Sequence, residues 1–333
     1  MMPGLESVER HSCLSAYYQA AVLARAGHDN VYDFDAAPEE IRGDISPFFR
    51  DTYQYPPPFL LLPSLLVWAS ADFLLVRVFW FVLTVAIVAL GWSCVAGWVG
   101  GRDRAWMIGL APVFWISMPV QFNLQGGNFH LALVVTAVVA MVALARERLA
   151  TGGALLAFAA LAKISPAILG VELVARRRWR AVGWTVGWAV VWCLAVLPVL
   201  GASPWVAFFE HDLPALRSGR AFPFLERSLN EIANNFSPFG LPFKLRELGL
   251  DVGWPEARVA GEIYSVALLG IAVLAALRLG SAPPRGHRLR VWLALLTLAA
   301  LRSPFATQMA FVGVAWLLVL LAEDCRKRWQ VAG

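Results

Sequence analysis

Charge is what this sequence has least of. Charged residues make up 15% of the 333 positions, against roughly 25% in soluble globular domains. Only three of the 28 basic residues are lysine. That shortage, set beside a hydrophobic content of 59%, excludes the two soluble domains the length would otherwise accommodate, and with them a soluble dinucleotide-dependent enzyme or a nucleic-acid binder. Cysteine is equally sparse. Cys13, Cys94, Cys193 and Cys325 are scattered, without a C-x-x-C, so neither a zinc site nor a disulfide framework is suggested. His11, His28, His130, His211 and His287 form neither H-x-x-x-H nor H-E-x-x-H, so no metal site is indicated. There is no secretory signal with a charged start, apolar core and cleavage site, and no tandem repeat. What is there instead is a series of long apolar runs, with 15 Trp and 20 Phe. The reading is an all-α polytopic membrane protein.

The first 57 residues stand apart, with nine acidic residues, four Arg and no apolar run of membrane length. Ala16–Ala26 reads as a short amphipathic helix ending at Gly27, followed by an aromatic, acidic loop that closes at Tyr55-Pro56-Pro57-Pro58. Residues 58–333 read as the membrane domain. Its apolar stretches run at about 59–70, 73–99, 105–120, 129–145, 149–175, 181–201, 259–279, 291–301 and 305–322. They predict a bundle of about 8–10 transmembrane or half-membrane helices, because a full span needs roughly 20 residues. Residues 202–258 form the one large interruption and read as a loop.

Basic clusters predict the orientation. Arg102/Arg104, Arg146/Arg148, Arg176–Arg180, Arg285–Arg290 and Arg326-Lys327-Arg328 should all be cytoplasmic. The intervals from Arg148 to Arg176 and from Arg290 to Arg326 then have basic flanks at both ends. Each must go in and come back, and each breaks near its middle, at Lys163-Ile164-Ser165-Pro166 and at Arg302-Ser303-Pro304. The same parity puts residues 1–57, 121–128 and 202–258 outside, and it makes 59–70 re-entrant or interfacial.

Lys163 is the most telling residue. An ammonium within an apolar stretch costs about 2.5–3.5 kcal/mol on insertion scales and marks a functional site by default; the plain alternative is a snorkelling lysine or a partner for Glu172. Arg302 is a similar case. Two cations aimed at one cavity suit a phosphate. Asp33-Phe34-Asp35 is a literal D-x-D, but it lies in a generally acidic loop without strand–helix alternation, so a solvated loop outweighs a metal–diphosphate site. The amides Gln121, Asn123, Gln125 and Asn128 crowd a membrane edge beside Gly126-Gly127, as helix caps or as hydroxyl-binding groups. Asn230, Asn234 and Asn235 read the same way. His11, His28 and His211 fall on the outer face as candidate acids or bases.

These pieces in this order resemble the membrane glycosyltransferase family 87, of GT-C architecture, whose members resemble polyprenyl-phosphate-mannose-dependent mannosyltransferases. The resemblance is carried by Tyr17-Tyr18-Gln19-Ala20-Ala21, Gly27, Val31-Tyr32-Asp33 and Tyr55-Pro56-Pro57. It continues through the amides of 121–128, Lys163-Ile164-Ser165-Pro166, Pro204-Trp205, Leu213-Pro214, Ser228-Leu229-Asn230 and Arg302-Ser303-Pro304. Two departures stand out. The family pattern implies a leading transmembrane helix and, shortly before the paired aromatics, an acidic residue acting as base. Here no such helix precedes the aromatics, and Cys13 occupies the place of the acid, with Glu6 and Glu9 the nearest replacements. A truncated start, a divergent enzyme and an inactive one all remain open.

The resemblance implies a multi-pass plasma-membrane enzyme acting on the extracytoplasmic face. It would move a sugar, mannose by that likeness, from a polyprenyl-phosphate donor to a glycolipid or glycan acceptor, with inversion. Glu9 or Asp33, or alternatively His11 or His28, would take the acceptor proton. Lys163 and Arg302 would hold the departing phosphate. Tyr55, Gln125, Asn128, Asn230 and His211 would contact sugar or acceptor. No cofactor is required by this reading, and a divalent cation is left open. The rival is a non-catalytic membrane protein, a lipid or polyprenol carrier or an inactive relative, which would also want cations in a cavity.

Overall fold

The computed structural model describes residues 10–226, 228–280 and 283–332, and among these the chain is helical without a strand. Helix α1 (Cys13–Arg25) opens the described chain. The short α2 (Pro57–Ala69) starts on a proline pair, whose missing N–H groups cost nothing in a first turn. The 27-residue α3 (Phe73–Val99) is N-capped by Asp72, whose carboxylate accepts from the amides of Leu74 and Leu75 at 2.8 and 3.2 Å.

Three helices are long and apolar enough to cross a bilayer: α3, α10 (Trp179–Leu200) and α15 (Trp254–Arg278). They turn Phe79, Val82, Leu90, Val190, Leu194 and Val266 outward, as lipid-facing surfaces require. Two further apolar helices, α6 (Met118–Gly126) and α7 (His130–Ala145), meet at a 114° bend. The bend falls at Gly127, with φ +65°. A side chain there would also come within 2.9 Å of the Leu14 side chain, so the turn requires glycine twice over.

The expected stretch at 105–120 is not one helix. It divides into α4 (Gly101–Gly109), α5 (Ala111–Ile116) and α6, because Pro112 and Pro119 lack the amide a continuous helix needs and each begins a new one. The break expected at Lys163 is present. α8 (Leu149–Ala162) ends there, and the chain returns through α9 (Ile168–Ala175). α16 (Arg285–Ala300) and α17 (Val312–Ala332) flank the second break. Residues 202–253 are helical as well, which the loop reading missed: α11 (Ser203–Ala207), α12 (Leu213–Ser218), α13 (Leu229–Asn234) and α14 (Leu241–Glu247). Phe222, Leu225, Ile232, Phe239 and Phe243 give this part a small core of its own, and prolines at first-turn positions of α11, α12 and α14 keep its elements short.

The two ends of the bundle differ in chemistry. At one end Arg178 bonds Glu147 at 2.8 Å, Arg288 bonds the buried Glu172 at 3.0 Å, Arg290 bonds Asp103 at 3.2 Å, and Arg285 donates to the Trp98 carbonyl at 2.9 Å. The other end gathers residues 10–56, the start of α3, the α6–α7 bend, Lys163, and the segments around 203–253 and 301–311. Arg77 in the first turn of α3 ties three of these together by donating to Ser12 Oγ (2.7 Å) and to the Gln125 carbonyl (2.5 Å). Both ends of α2 are also held here. Tyr55 just before it bonds Tyr17, while Val67 and Ala71 at its far end accept from Arg25 and Tyr18. α2 therefore lies along α1.

Candidate active site

The site is built on the first turn of α1. Ser15 is the organiser. Its hydroxyl proton is shared between the Ser12 carbonyl at 2.6 Å and the Phe49 carbonyl at 3.1 Å, and its oxygen accepts from the Asp51 amide at 3.0 Å. A further bond from the Phe49 amide to the Arg10 carbonyl (2.9 Å) fixes the same pairing. Residues 49–51 are thereby pinned against the start of the helix, which brings the Asp51 carboxylate to Cys13. The His11 Nε2 lies 3.4 Å from Cys13 Sγ, and the ligand atoms of His11, Cys13 and Asp51 all lie within 4.8 Å of one another.

Other elements close around this triangle. The Asn128 amide donates to Cys13 Sγ and to Met309 Sδ, both at 3.4 Å, and its carbonyl accepts from the His130 amide at 2.9 Å, capping α7. Lys163, at the C-terminal end of α8, lies within electrostatic reach of both Cys13 and His130. Glu231 on α13 is in the same reach of His11 and Asp51. Tyr17 donates to Tyr55 Oη at 2.9 Å, and their rings meet edge-on 5.1 Å apart.

The electrostatics of the outer part follow from burial. Burial pushes the Asp51 carboxyl above the usual carboxylate range, opposed by the nearby His11. Burial, reinforced by the Asp51 charge, pushes the Cys13 thiol well up, so it is a neutral thiol. On the inner side Lys163 is half-buried, and among the described residues it has neither a hydrogen-bond nor an ion-pair partner. Glu172, the partner that would have explained it away, is engaged at the opposite end by Arg288, by Arg176 at 4.0 Å and by Trp292 Nε1 at 2.5 Å. His130 is buried beside it, with both ring nitrogens unpartnered.

The sequence-predicted residues fare unequally. Lys163, Asn128 and Tyr55 converge on α1 as described. Asp33 is exposed and caps the Ala36 amide at 3.1 Å, while Asp35 pairs with Arg50 at 2.5 Å. The D-x-D is thus a structured surface loop, and among the described residues it belongs to no metal-ligating group. Arg302 is exposed and donates from Nε to Ser265 Oγ at 2.9 Å; no interaction among the described residues joins it to Lys163. The Gln125 side chain and His211 are exposed, and Asn230 accepts from Asn234 at 3.0 Å within its own helix. Glu9 lies outside the described residues. The residue missed was Asp51. Its only sequence signal is a carboxylate four positions ahead of Tyr55-Pro56-Pro57, and its approach to Cys13 depends on a hydroxyl 36 residues away.

Residues 53–307 match glycosyltransferase family 87. No curated protein and no solved structure shows a significant match to the chain.

Proposed function

The chain belongs to glycosyltransferase family 87, and from that premise we propose that it transfers a sugar from a polyprenyl phosphate to an acceptor hydroxyl, inverting the anomeric carbon. The observation that carries this reading is Lys163, an unpartnered cation at the end of a half-membrane helix, facing a carboxylate-bearing cluster across the α6–α7 bend. At about 1.5 Å per residue, the 14-residue α8 carries Lys163 about 21 Å from the arginine-rich end. That is the depth range where a lipid-borne phosphate can reach it while the isoprenoid stays in the bilayer.

In this scheme Asp51 accepts the proton of the attacking hydroxyl as the new glycosidic bond forms and the bond to the lipid phosphate breaks. Its raised pKa brings it closer to working pH, as a general base requires. Lys163 stabilises the negative charge on the departing phosphate, with His130 alongside as a further donor. Tyr55 and Asn128 border the space between the two. An apolar groove of about 340 Å³, lined by Leu110, Val113, Pro119, Phe311, Val314 and Leu318, runs between α5 and α17. Pro119 on its wall accepts from Asn123 at 2.7 Å, which also donates to the Met309 carbonyl at 3.1 Å, and the groove suits the lipid tail. Arg302, whose Nε donates to Ser265 Oγ, is not assigned a step in this arrangement. The site faces outside the cell if the arginine-rich end is cytoplasmic. Mannose follows the family resemblance.

The test uses the full chain in detergent or nanodiscs with a radiolabelled polyprenyl-phosphate sugar and native membrane glycolipid as acceptor. Transfer is expected from mannosyl donor, with loss in Lys163→Ala and Asp51→Asn. Wild-type protein that binds the donor but transfers nothing would favour a carrier, and transfer from a nucleotide sugar alone would overturn the lipid-donor reading.

A further inference from the structure

We propose that His11, Cys13 and Asp51 form a binding site for one divalent metal ion of the zinc class. The proposal rests on the reading above only for what the ion would do, not for its presence.

The donor set is mixed nitrogen, sulfur and carboxylate oxygen, the set that zinc takes with three protein ligands and one open position. Tetrahedral coordination with bonds of about 2.05 Å to nitrogen and about 2.3 Å to sulfur places those two ligands about 3.6 Å apart. The observed His11 Nε2–Cys13 Sγ distance is 3.4 Å. A ligand oxygen of Asp51 joins them, all three ligand atoms lying within 4.8 Å of one another. The backbone is committed to this arrangement by the Ser15 bonds to residues 49 and 51.

The geometry distinguishes a metal site from a nucleophilic relay. In a Cys–His–Asp relay the carboxylate bonds the imidazole nitrogen remote from the sulfur, giving a line of three groups. Here no Asp51–His11 hydrogen bond occurs among the described residues, and the carboxylate approaches the thiol instead. The three groups converge on a point.

Charge also balances. Metal binding deprotonates a coordinating thiol outright, so thiolate and carboxylate together neutralise a divalent ion. The nearby Lys163 then meets a neutral centre and keeps its charge for phosphate. The fourth position would take the acceptor hydroxyl, whose proton passes to the second Asp51 oxygen. The cysteine that stands where the family resemblance implies an acid is thereby accounted for as a ligand.

Purified full-length protein, stripped with a chelator and titrated with Co²⁺ and Zn²⁺, tests this directly. The expected result is one ion per chain and, with Co²⁺, a thiolate-to-metal charge-transfer band. Cys13→Ser should abolish the band. His11→Ala and Asp51→Asn should each weaken affinity at least tenfold, while His28→Ala binds as the wild type. Circular dichroism and gel-filtration profiles identify any variant that fails to fold. Absence of saturable binding in wild-type protein, or affinity unchanged in all three ligand variants, overturns the proposal. Wild-type protein that transfers sugar without metal keeps the lipid-phosphate reading and loses this one; protein that binds metal but transfers nothing does the reverse.

Discussion

Asn128 donates its side-chain amide to the thiol of Cys13 at 3.4 Å, joining the bend between α6 and α7 to the first turn of α1. The same bend positions His130 beside Lys163, so one short turn links the His11–Cys13–Asp51 cluster to the buried-side cation.

Asp51→Asn should reduce transfer by about 10²- to 10⁴-fold, the usual contribution of a positioned base. Burial raises the Asp51 pKa, so the base is lost at a higher pH than an ordinary aspartate would be. With no cation on Asp51, wild-type activity should therefore fall on acidification with a midpoint above the usual carboxylate range. The residual activity of the variant should lack that limb. Initial rates measured across pH check both statements.

Lys163→Ala should abolish transfer while the protein still inserts and elutes as wild type, because no described residue depends on Lys163 as a partner. Lys163→Arg should recover only part of the activity, since a planar, longer guanidinium cannot replace a point charge in a confined space. Turnover and donor affinity, measured separately, would sink the assignment if both stayed at wild-type values.

Asp212 gives a stability test away from the proposed chemistry. Burial pushes its pKa up to about 7, and one of its oxygens is buried without a partner. The folded state therefore holds the proton more tightly than the unfolded chain. Stability should fall as pH rises from about 4 towards 7, and then level off. Asp212→Asn should remove that slope and raise the thermal midpoint at pH 8, read by unfolding in detergent.

Gly127→Ala should destabilise the fold by about 1–3 kcal/mol, because it forces a side chain into the left-handed region. The new methyl also meets Leu14 at 2.9 Å. Activity should drop with stability, since the displaced bend carries Asn128. A thermal midpoint equal to wild type would contradict the packing described.

A cysteine at the exposed Leu248 should react with a membrane-impermeant thiol reagent in intact cells, above the labelling of the native chain. Labelling only after permeabilisation would reverse the orientation assigned to the whole site.

The sequence by itself determined the membrane, all-helical class and the breaks at Lys163 and Arg302. It also indicated the gathering of arginines at one end. These are properties of contiguous runs: bilayer thickness sets how many apolar residues a span needs, and the cost of a buried charge is felt wherever it falls. It singled out Lys163, Tyr55 and Asn128 for the same reason, as polar or aromatic groups at the edges of apolar stretches. Only the tertiary structure brought Asp51, rather than Asp33, beside His11 and Cys13. That choice rests on the Ser15 hydroxyl bridging residues 49 and 51, a bond between segments distant in sequence with no local pattern to announce it. The structure likewise assigned Glu172 to Arg288 and Arg302 to Ser265, leaving Lys163 without a partner. Which charges cancel depends on which helix ends meet, and a linear sequence carries no distance between helix ends.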